Sequence, residues 1–189
     1  MGREFELKYR AAAEQIAAIR AKFGEFTSIS METTYYDTPG LELRQRHWTL
    51  RRRFENGKSV CTVKTPLEDG SRGEWELECG DIEAAIPELC KLGVPEELLF
   101  LTAKGVSPFC GARFTRLAKT VESDDCTVEL ALDQGALIGG GKELPFAEVE
   151  VELKDGSQDA AVMFARILAA EFGLTPEPKS KLLRAMELV

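Results

Sequence analysis

Glu4-Phe5-Glu6-Leu7-Lys8-Tyr9, within the first ten residues, alternates charged with apolar side chains at a period of two. In an extended strand this puts Glu4, Glu6 and Lys8 on one face and Phe5, Leu7 and Tyr9 on the other, the latter turned to a core. Two carboxylates about 6–7 Å apart along a strand repel each other unless a cation sits beside them, a spacing that suits a divalent metal. The pattern returns at Glu74-Trp75-Glu76-Leu77-Glu78 and at Glu148-Val149-Glu150-Val151-Glu152-Leu153. Basic residues recur on strand faces as well, at Arg51, Arg53, Lys64 and Arg72. Acids and bases together at strand interiors indicate a barrel with a polar lining.

Moving outward, a helix is expected from Ala11 to Lys22, with Ile16, Ile19 and Phe23 on one stripe and Gly24 at its end. Ser28 to Asp37 reads as a strand closed by the turn signal Asp37-Thr38-Pro39-Gly40. The hairpin His47 to Thr65 carries Asn56-Gly57 at its tip, a pair suited to a two-residue turn that needs positive φ. Pairing Glu55 with Lys58 then sets Arg53 opposite Val60, Arg51 opposite Thr62 and Thr49 opposite Lys64, so Arg51, Arg53 and Lys64 share a face. Leu50, Phe54, Cys61 and Val63 form the other, apolar face.

Ser71 to Cys79 is the next strand, and Asp81 caps a helix that runs to about Leu92. Strands follow at Val106–Val121 and Cys126–Asp133; a turn over Glu122–Asp125 pairs Arg116 with Ala131, on a face with Glu129 and Asp133, while Arg113 points away. Gly135–Gly141 reads as a flexible hairpin connection, without the lysine of a phosphate-binding loop. The last strand, Leu144–Lys154, precedes an amphipathic helix from Ser157 to Phe172 with Val162, Ile167 and Leu168 inward. A final short helix is expected to contain Lys179, Lys181 and Arg184. The whole reads as one α+β domain over residues 1–189, an eight-stranded antiparallel β-barrel with surrounding helices.

Composition narrows the function classes. The chain has 189 residues, with 24 basic against 32 acidic side chains and a net charge of −8, which argues against a general nucleic-acid surface. Nothing approaches the ~20 apolar residues of a membrane span, and the charged start lacks the apolar core of a signal peptide, so a cytoplasmic, soluble protein is expected. Five dispersed cysteines without Cys-x-x-Cys spacing point to free thiols rather than zinc. His47 is the only histidine, which removes most histidine-based catalytic pairs.

A barrel lined by carboxylates, lysines and arginines has to hold water, ions or a charged ligand, because unpaired buried charge is too costly. Carboxylates alone suit the hard cations Mg²⁺ or Mn²⁺, and the basic residues suit phosphate oxygens, Arg by forked bonds and Lys as a point charge. A linear polyphosphate matches cations spread over several strands.

At Glu4-Phe5-Glu6-Leu7-Lys8, Tyr35-Tyr36-Asp37-Thr38-Pro39, Leu50-Arg51-Arg52-Arg53, Thr62-Val63-Lys64-Thr65, Arg72-Gly73-Glu74-Trp75-Glu76, Arg116, Glu129–Asp133, Glu148–Glu152 and Ser180-Lys181 the sequence resembles the CYTH, or triphosphate tunnel metalloenzyme, family. The resemblance implies an antiparallel tunnel that binds a triphosphate on its basic side and Mg²⁺ or Mn²⁺ on its acidic side. It implies a principal metal site at Glu4, Glu6, Glu148 and Glu150, with Glu74, Glu76 and Asp133 available to a second ion. It implies a triphosphate clamp of Lys8, Arg51, Arg53, Lys64, Arg116 and Lys181, to which Arg72 is added. Arg113, Arg184 and Glu152 remain unassigned.

Family members divide among inorganic triphosphatases, thiamine or nucleoside triphosphatases, and adenylate cyclases. Phe114-Thr115-Arg116 and Ala131-Leu132-Asp133-Gln134-Gly135 look most like the bacterial inorganic triphosphatases, so metal-dependent hydrolysis of tripolyphosphate ranks first. Adenylate cyclase or organic triphosphatase activity ranks second, and a non-catalytic polyphosphate or nucleotide sensor third. Lys64, Lys181 and Lys8 are the candidates for activating the attacking water; Lys64 and Lys181 are favoured because a lysine amid cations gives up its proton more readily than one beside glutamates. The expected partner is a small-molecule triphosphate, with neither nucleic acid nor membrane, and homodimer formation is left open.

Overall fold

The alternation that opens the chain becomes a strand interrupted once. In the structure, a computed structural model describing residues 2–67, 72–123 and 125–189 and the side chains from Phe5 onward, β1 (Gly2–Glu4) and β2 (Glu6–Arg10) flank Phe5. They are followed by α1 (Ala13–Phe23), β3 (Thr27–Asp37), α2 (Glu42–Gln45), β4 (Thr49–Glu55), β5 (Lys58–Pro66) and β6 (Arg72–Glu78). Next come α3 (Ile82–Lys91), α4 (Glu97–Leu101), β7 (Ser107–Ser123), β8 (Cys126–Gly139), β9 (Lys142–Gly156), α5 (Gln158–Phe172), β10 (Thr175–Pro176) and α6 (Lys181–Met186).

All pairings are antiparallel, in the order β1-β6-β5-β4-β3-β7-β8-β9-β2-β10. β1 pairs with β6 at one end of the run and β2 with β9 at the other, so the N-terminal segment joins both ends into a tunnel. The Leu153 amide donates to the Phe5 carbonyl at 2.9 Å and carries the β9 ladder across the interruption. Counted as one interrupted strand, β1 and β2 make eight, with the two-residue β10 an addition on the edge of β2.

Local chemistry accounts for the elements that set the register. Asn56 and Gly57 take φ of 49° and 88°, and the β4–β5 pairing is the expected one, from Glu55 with Lys58 to Thr49 with Lys64. The Asp81 side chain accepts from the Ala84 amide at 2.7 Å and caps α3, and Ser157 caps α5. Apolar residues on the outer sheet face then pack under helices. Tyr9, Val128, Leu130, Val149 and Val151 lie against Ile16 and Ile19 of α1 and Ala161, Ala165 and Leu168 of α5. Leu50, Cys61, Val63 and Trp75 lie against Ile86 and Leu89 of α3.

Five expectations are corrected. Arg116 pairs with Asp133 rather than Ala131, because β7 and β8 continue to Ser123 and Cys126; a shift of two residues keeps the same face. Gly135 is strand, not connection: a Cβ there would lie 2.1 Å from the Arg113 carbonyl and 2.5 Å from Phe114 Cα. Ile167 and Phe54 are exposed: the buried stripe of α5 runs through Ala161, Ala165 and Leu168, and Phe54 lies at the turn end of β4, opposite Ser59 and with the Arg52 guanidinium 5.2 Å from its ring centre. Lys179 precedes α6, which Ser180 caps. No helix among the described residues is long and apolar enough to cross a bilayer.

Candidate functional site

Directly paired residues share a face, so the ladders assign the tunnel lining. Lys8 is opposite Glu150, Arg10 opposite Glu148, Glu148 opposite Asp133 and Asp133 opposite Arg116. On the other side of the ring Thr33 is opposite Arg53, Thr62 opposite Glu76 and Lys64 opposite Glu74. One wall, on β8 and β9, is acidic; the other, on β4 and β5, is basic.

The acidic wall holds Asp133, Glu148 and Glu150, all buried, with a carboxylate oxygen from each within 4.8 Å of the others. Arg116 forks onto Asp133 through two 2.8 Å bonds and also binds Glu150. Lys181, at the start of α6, lies 2.7 Å from Asp133 and 2.9 Å from Glu150 and also bonds Glu148. Arg184, one turn on, binds the second oxygen of Glu148 and reaches buried Glu177 at 3.7 Å. The Lys181 ammonium stands 4.9 Å from the Phe114 ring centre and 5.6 Å from that of Phe146.

These neighbours set the electrostatics. Burial works against ionisation of Glu150, but Lys181 and Arg116 outweigh it and hold the carboxyl well below its usual range. Burial dominates at Glu148 and raises it to about 6 despite Lys181, with Glu150 adding to the rise. Lys181 and Arg116 are both held above their ordinary values: burial opposes their charge, and the surrounding carboxylates, Glu150 foremost, override it.

The basic wall differs. Arg51, Arg53 and Lys64 are buried; Arg51 lies 3.5 Å from both Glu74 and Glu76, and Lys64 3.1 Å from Glu74. Arg53 donates to Thr33 Oγ1 at 3.0 Å and Arg72 to Thr49 Oγ1 at 3.0 Å. Burial, then the charge of Arg51, pushes the Arg53 guanidinium down to about 10. An arginine so disfavoured as a cation gains when an anion arrives.

The resemblance grouped Asp133 with Glu74 and Glu76. The fold instead places it with Glu148 and Glu150, because β8 pairs with β9, while Glu74 and Glu76 engage Arg51 and Lys64 across β4–β6. Glu6 lies farther along, opposite Glu152, with its carboxylate 2.7 Å from Lys8. The Glu4 backbone pairs with Arg72, and its side chain lies outside the described residues. The premise that Lys181 sits amid cations is reversed, since three carboxylates surround it.

Arg184, unassigned in the sequence, joins the acidic wall, and its three-residue spacing from Lys181 was the readable signal. Glu177 had none, being brought there by the pairing of β10 with β2, which continues as the Glu177 amide donates to the Lys8 carbonyl at 2.9 Å. Arg113 faces out as expected, 2.9 Å from Glu143, and Glu152 bonds Lys154 at 2.8 Å. Three buried carboxylates with oxygen donors only fit a hard divalent cation.

Comparison with known proteins agrees with this architecture. The profile of the CYTH domain matches residues 2–186. The inorganic triphosphatase of Haemophilus influenzae is 29% identical over 178 residues, which are 90% of this chain and 51% of that protein. The chain thus spans about half the length of this curated relative. Among solved structures, an adenylate cyclase candidate from Bacillus halodurans superposes with a TM-score of 0.66 at 19% identity, covering 97% of this chain and 98% of its own. An adenylyl cyclase candidate from Hippeastrum, described as revealing a dominant triphosphatase activity, gives 0.65 at 18% identity, covering 95% and 93%. Both likenesses establish the fold.

Proposed function

The chain belongs to the CYTH domain family, and from that premise we propose that it hydrolyses inorganic triphosphate to pyrophosphate and phosphate within the tunnel, with Mg²⁺ or Mn²⁺ as cofactor. The observation that carries this reading is the opposition of two walls: buried Arg51, Arg53 and Lys64 on one side, and the Asp133–Glu148–Glu150 cluster on the other. The basic wall supplies what an inorganic polyanion needs, and the acidic wall supplies a place for the metal that accompanies it. The name of the Haemophilus influenzae relative supports the same substrate class.

In this reading Arg51 and Arg53 grip phosphoryl oxygens by directed N–H bonds, with Lys8, Arg72 and Arg116 adding charge along the chain of phosphates. Asp133, Glu148 and Glu150 would hold the metal, with Glu6 and Glu4 contributing from the N-terminal strand. A bound divalent cation supplies neutralisation of phosphoryl charge and a more acidic water. A water held beside the gripped phosphates attacks the terminal phosphorus in line, the bridging P–O bond breaks, and pyrophosphate departs. Lys64, on the wall that grips the phosphates, passes its own proton to Glu74, 3.1 Å away, and receives the one from the water; Lys181, held charged by its carboxylates, serves as a cation.

Turnover of tripolyphosphate, ATP and thiamine triphosphate, each with Mg²⁺, Mn²⁺ or EDTA, tests the assignment. Equimolar phosphate and pyrophosphate from tripolyphosphate, abolished by EDTA, is the expected result. Binding without turnover would identify a sensor, and cyclic AMP from ATP a cyclase.

One observation favours an organic triphosphate as a second reading. A cavity of about 480 Å³ adjoins the basic wall at Thr49 and Arg72 and is lined by Tyr35, His47, Trp48 and Phe109, rings that could stack on a heterocycle. Faster turnover of ATP or thiamine triphosphate than of tripolyphosphate would establish it.

A further inference from the structure

Three carboxylates and three cations meet at the acidic wall. Asp133, Glu148 and Glu150 are in contact with Lys181, Arg116 and Arg184, so the formal charge of the cluster is already balanced. The three cations are not equivalent. Arg116 bonds Asp133 and Glu150, and Arg184 bonds only Glu148 among the three carboxylates. Lys181 alone contacts all three, at 2.7 Å from Asp133, 2.9 Å from Glu150 and in a bond to Glu148.

We propose that the Lys181 ammonium is a resident counter-ion in the space where the metal binds, and that a divalent cation enters the cluster by displacing it. The inference rests on the metal-site reading above and adds a step to it. An ammonium and a hard divalent cation compete for the same oxygen lone pairs, and each needs those oxygens at contact distance. With Arg116 and Arg184 already neutralising two of the three carboxylates, an ammonium and a divalent cation at contact distance from the same oxygens would repel each other strongly.

Lys181 is also the cation best able to leave. Its four-carbon stem springs from the first residue of α6, and its head also lies over the rings of Phe114 and Phe146. Arg116 keeps its forked bond to Asp133, and Arg184 keeps Glu177. Exchanging one positive charge for two leaves the wall with excess positive charge and frees an ammonium for a phosphoryl oxygen. Metal loading thereby prepares the acidic wall to accept an anion.

Mn²⁺ affinity measured without phosphate, by titration calorimetry or electron paramagnetic resonance, tests the displacement. Lys181→Met, which removes the competing charge and leaves an apolar chain beside the two rings, should bind Mn²⁺ at least tenfold more tightly than the native protein. Equal or weaker binding overturns the proposal. A second measurement on the native protein does not depend on the variant folding: acylation of amines, read by peptide mass spectrometry with exposed Lys58 as internal reference. Mn²⁺ should accelerate modification of Lys181 severalfold relative to Lys58, and unchanged or reduced modification overturns displacement. Failure of both proteins to bind Mn²⁺ would remove the metal-site reading itself, whereas equal binding by both would remove displacement alone.

Discussion

Arg116 and Asp133 occupy directly opposed positions on β7 and β8 and join through two parallel bonds, Nε to Oδ1 and Nη2 to Oδ2, each 2.8 Å. Asp133 is fully buried, and the same guanidinium reaches Glu150 on the next strand. One side chain therefore orders two of the three carboxylates that would hold a metal, and the fork is a geometry lysine cannot reproduce.

Arg116→Lys should keep the charge and lose the fork. We expect kcat/KM for tripolyphosphate to fall by about 100-fold, the upper end for loss of a group that orients metal ligands. Asp133→Ala should lower unfolding free energy by about 3 kcal/mol, because it leaves part of a buried guanidinium unpaired. Urea denaturation checks the second value, and a loss under about 1 kcal/mol, the range of exposed pairs, would mean that the pair is not structural.

Arg53 offers the opposite case. Burial and Arg51 disfavour its charge, so Arg53→Met should leave the ligand-free protein as stable as the native one or raise its melting temperature. The same change should raise KM for tripolyphosphate at least tenfold. Calorimetric melting with steady-state kinetics gives both numbers, and a destabilised variant with unchanged KM would count against a phosphate-binding role.

Metal affinity should depend on pH through Glu148, whose carboxyl is raised to about 6. Protons and metal compete for the carboxylate, so binding is favoured above this value and weakens as pH falls through it. Mn²⁺ affinity should drop by about tenfold per pH unit below 6, as expected when one ligand must lose a proton. A flat profile between pH 5 and 7 would remove Glu148 from the ligand set.

Glu6 and Glu150 should differ in weight. Glu150→Gln alters a buried member of the cluster, whereas Glu6 lies opposite Glu152 with its carboxylate on Lys8. Metal-dependent turnover should fall about 1,000-fold in the first and about 10-fold in the second, the latter as for a supporting residue. Equal losses would place Glu6 among the direct ligands.

Gly135 should resist any side chain. A Cβ there overlaps the Arg113 carbonyl and Phe114, so Gly135→Ala should cost about 3 kcal/mol, at the upper end of overpacking effects. A smaller cost in urea denaturation would show that β7 yields easily beside Arg116.

Much of this could be read from short spans of chain. Period-two alternation assigned the faces of the N-terminal strand, β6 and β9, because adjacent side chains on a strand must point to opposite sides. Asn56-Gly57 determined how Arg51, Arg53 and Lys64 align, because a two-residue turn permits a single register. Distant relations were not legible in this way. Asp133 meets Glu148 only because β8 pairs with β9, and Lys181 reaches both only because α6 folds back onto the tunnel lining. Local pattern establishes which side of a strand a charge occupies. Closure of the sheet and docking of α6 establish its partner, and the partner decides whether that charge is held, displaced or offered to an anion.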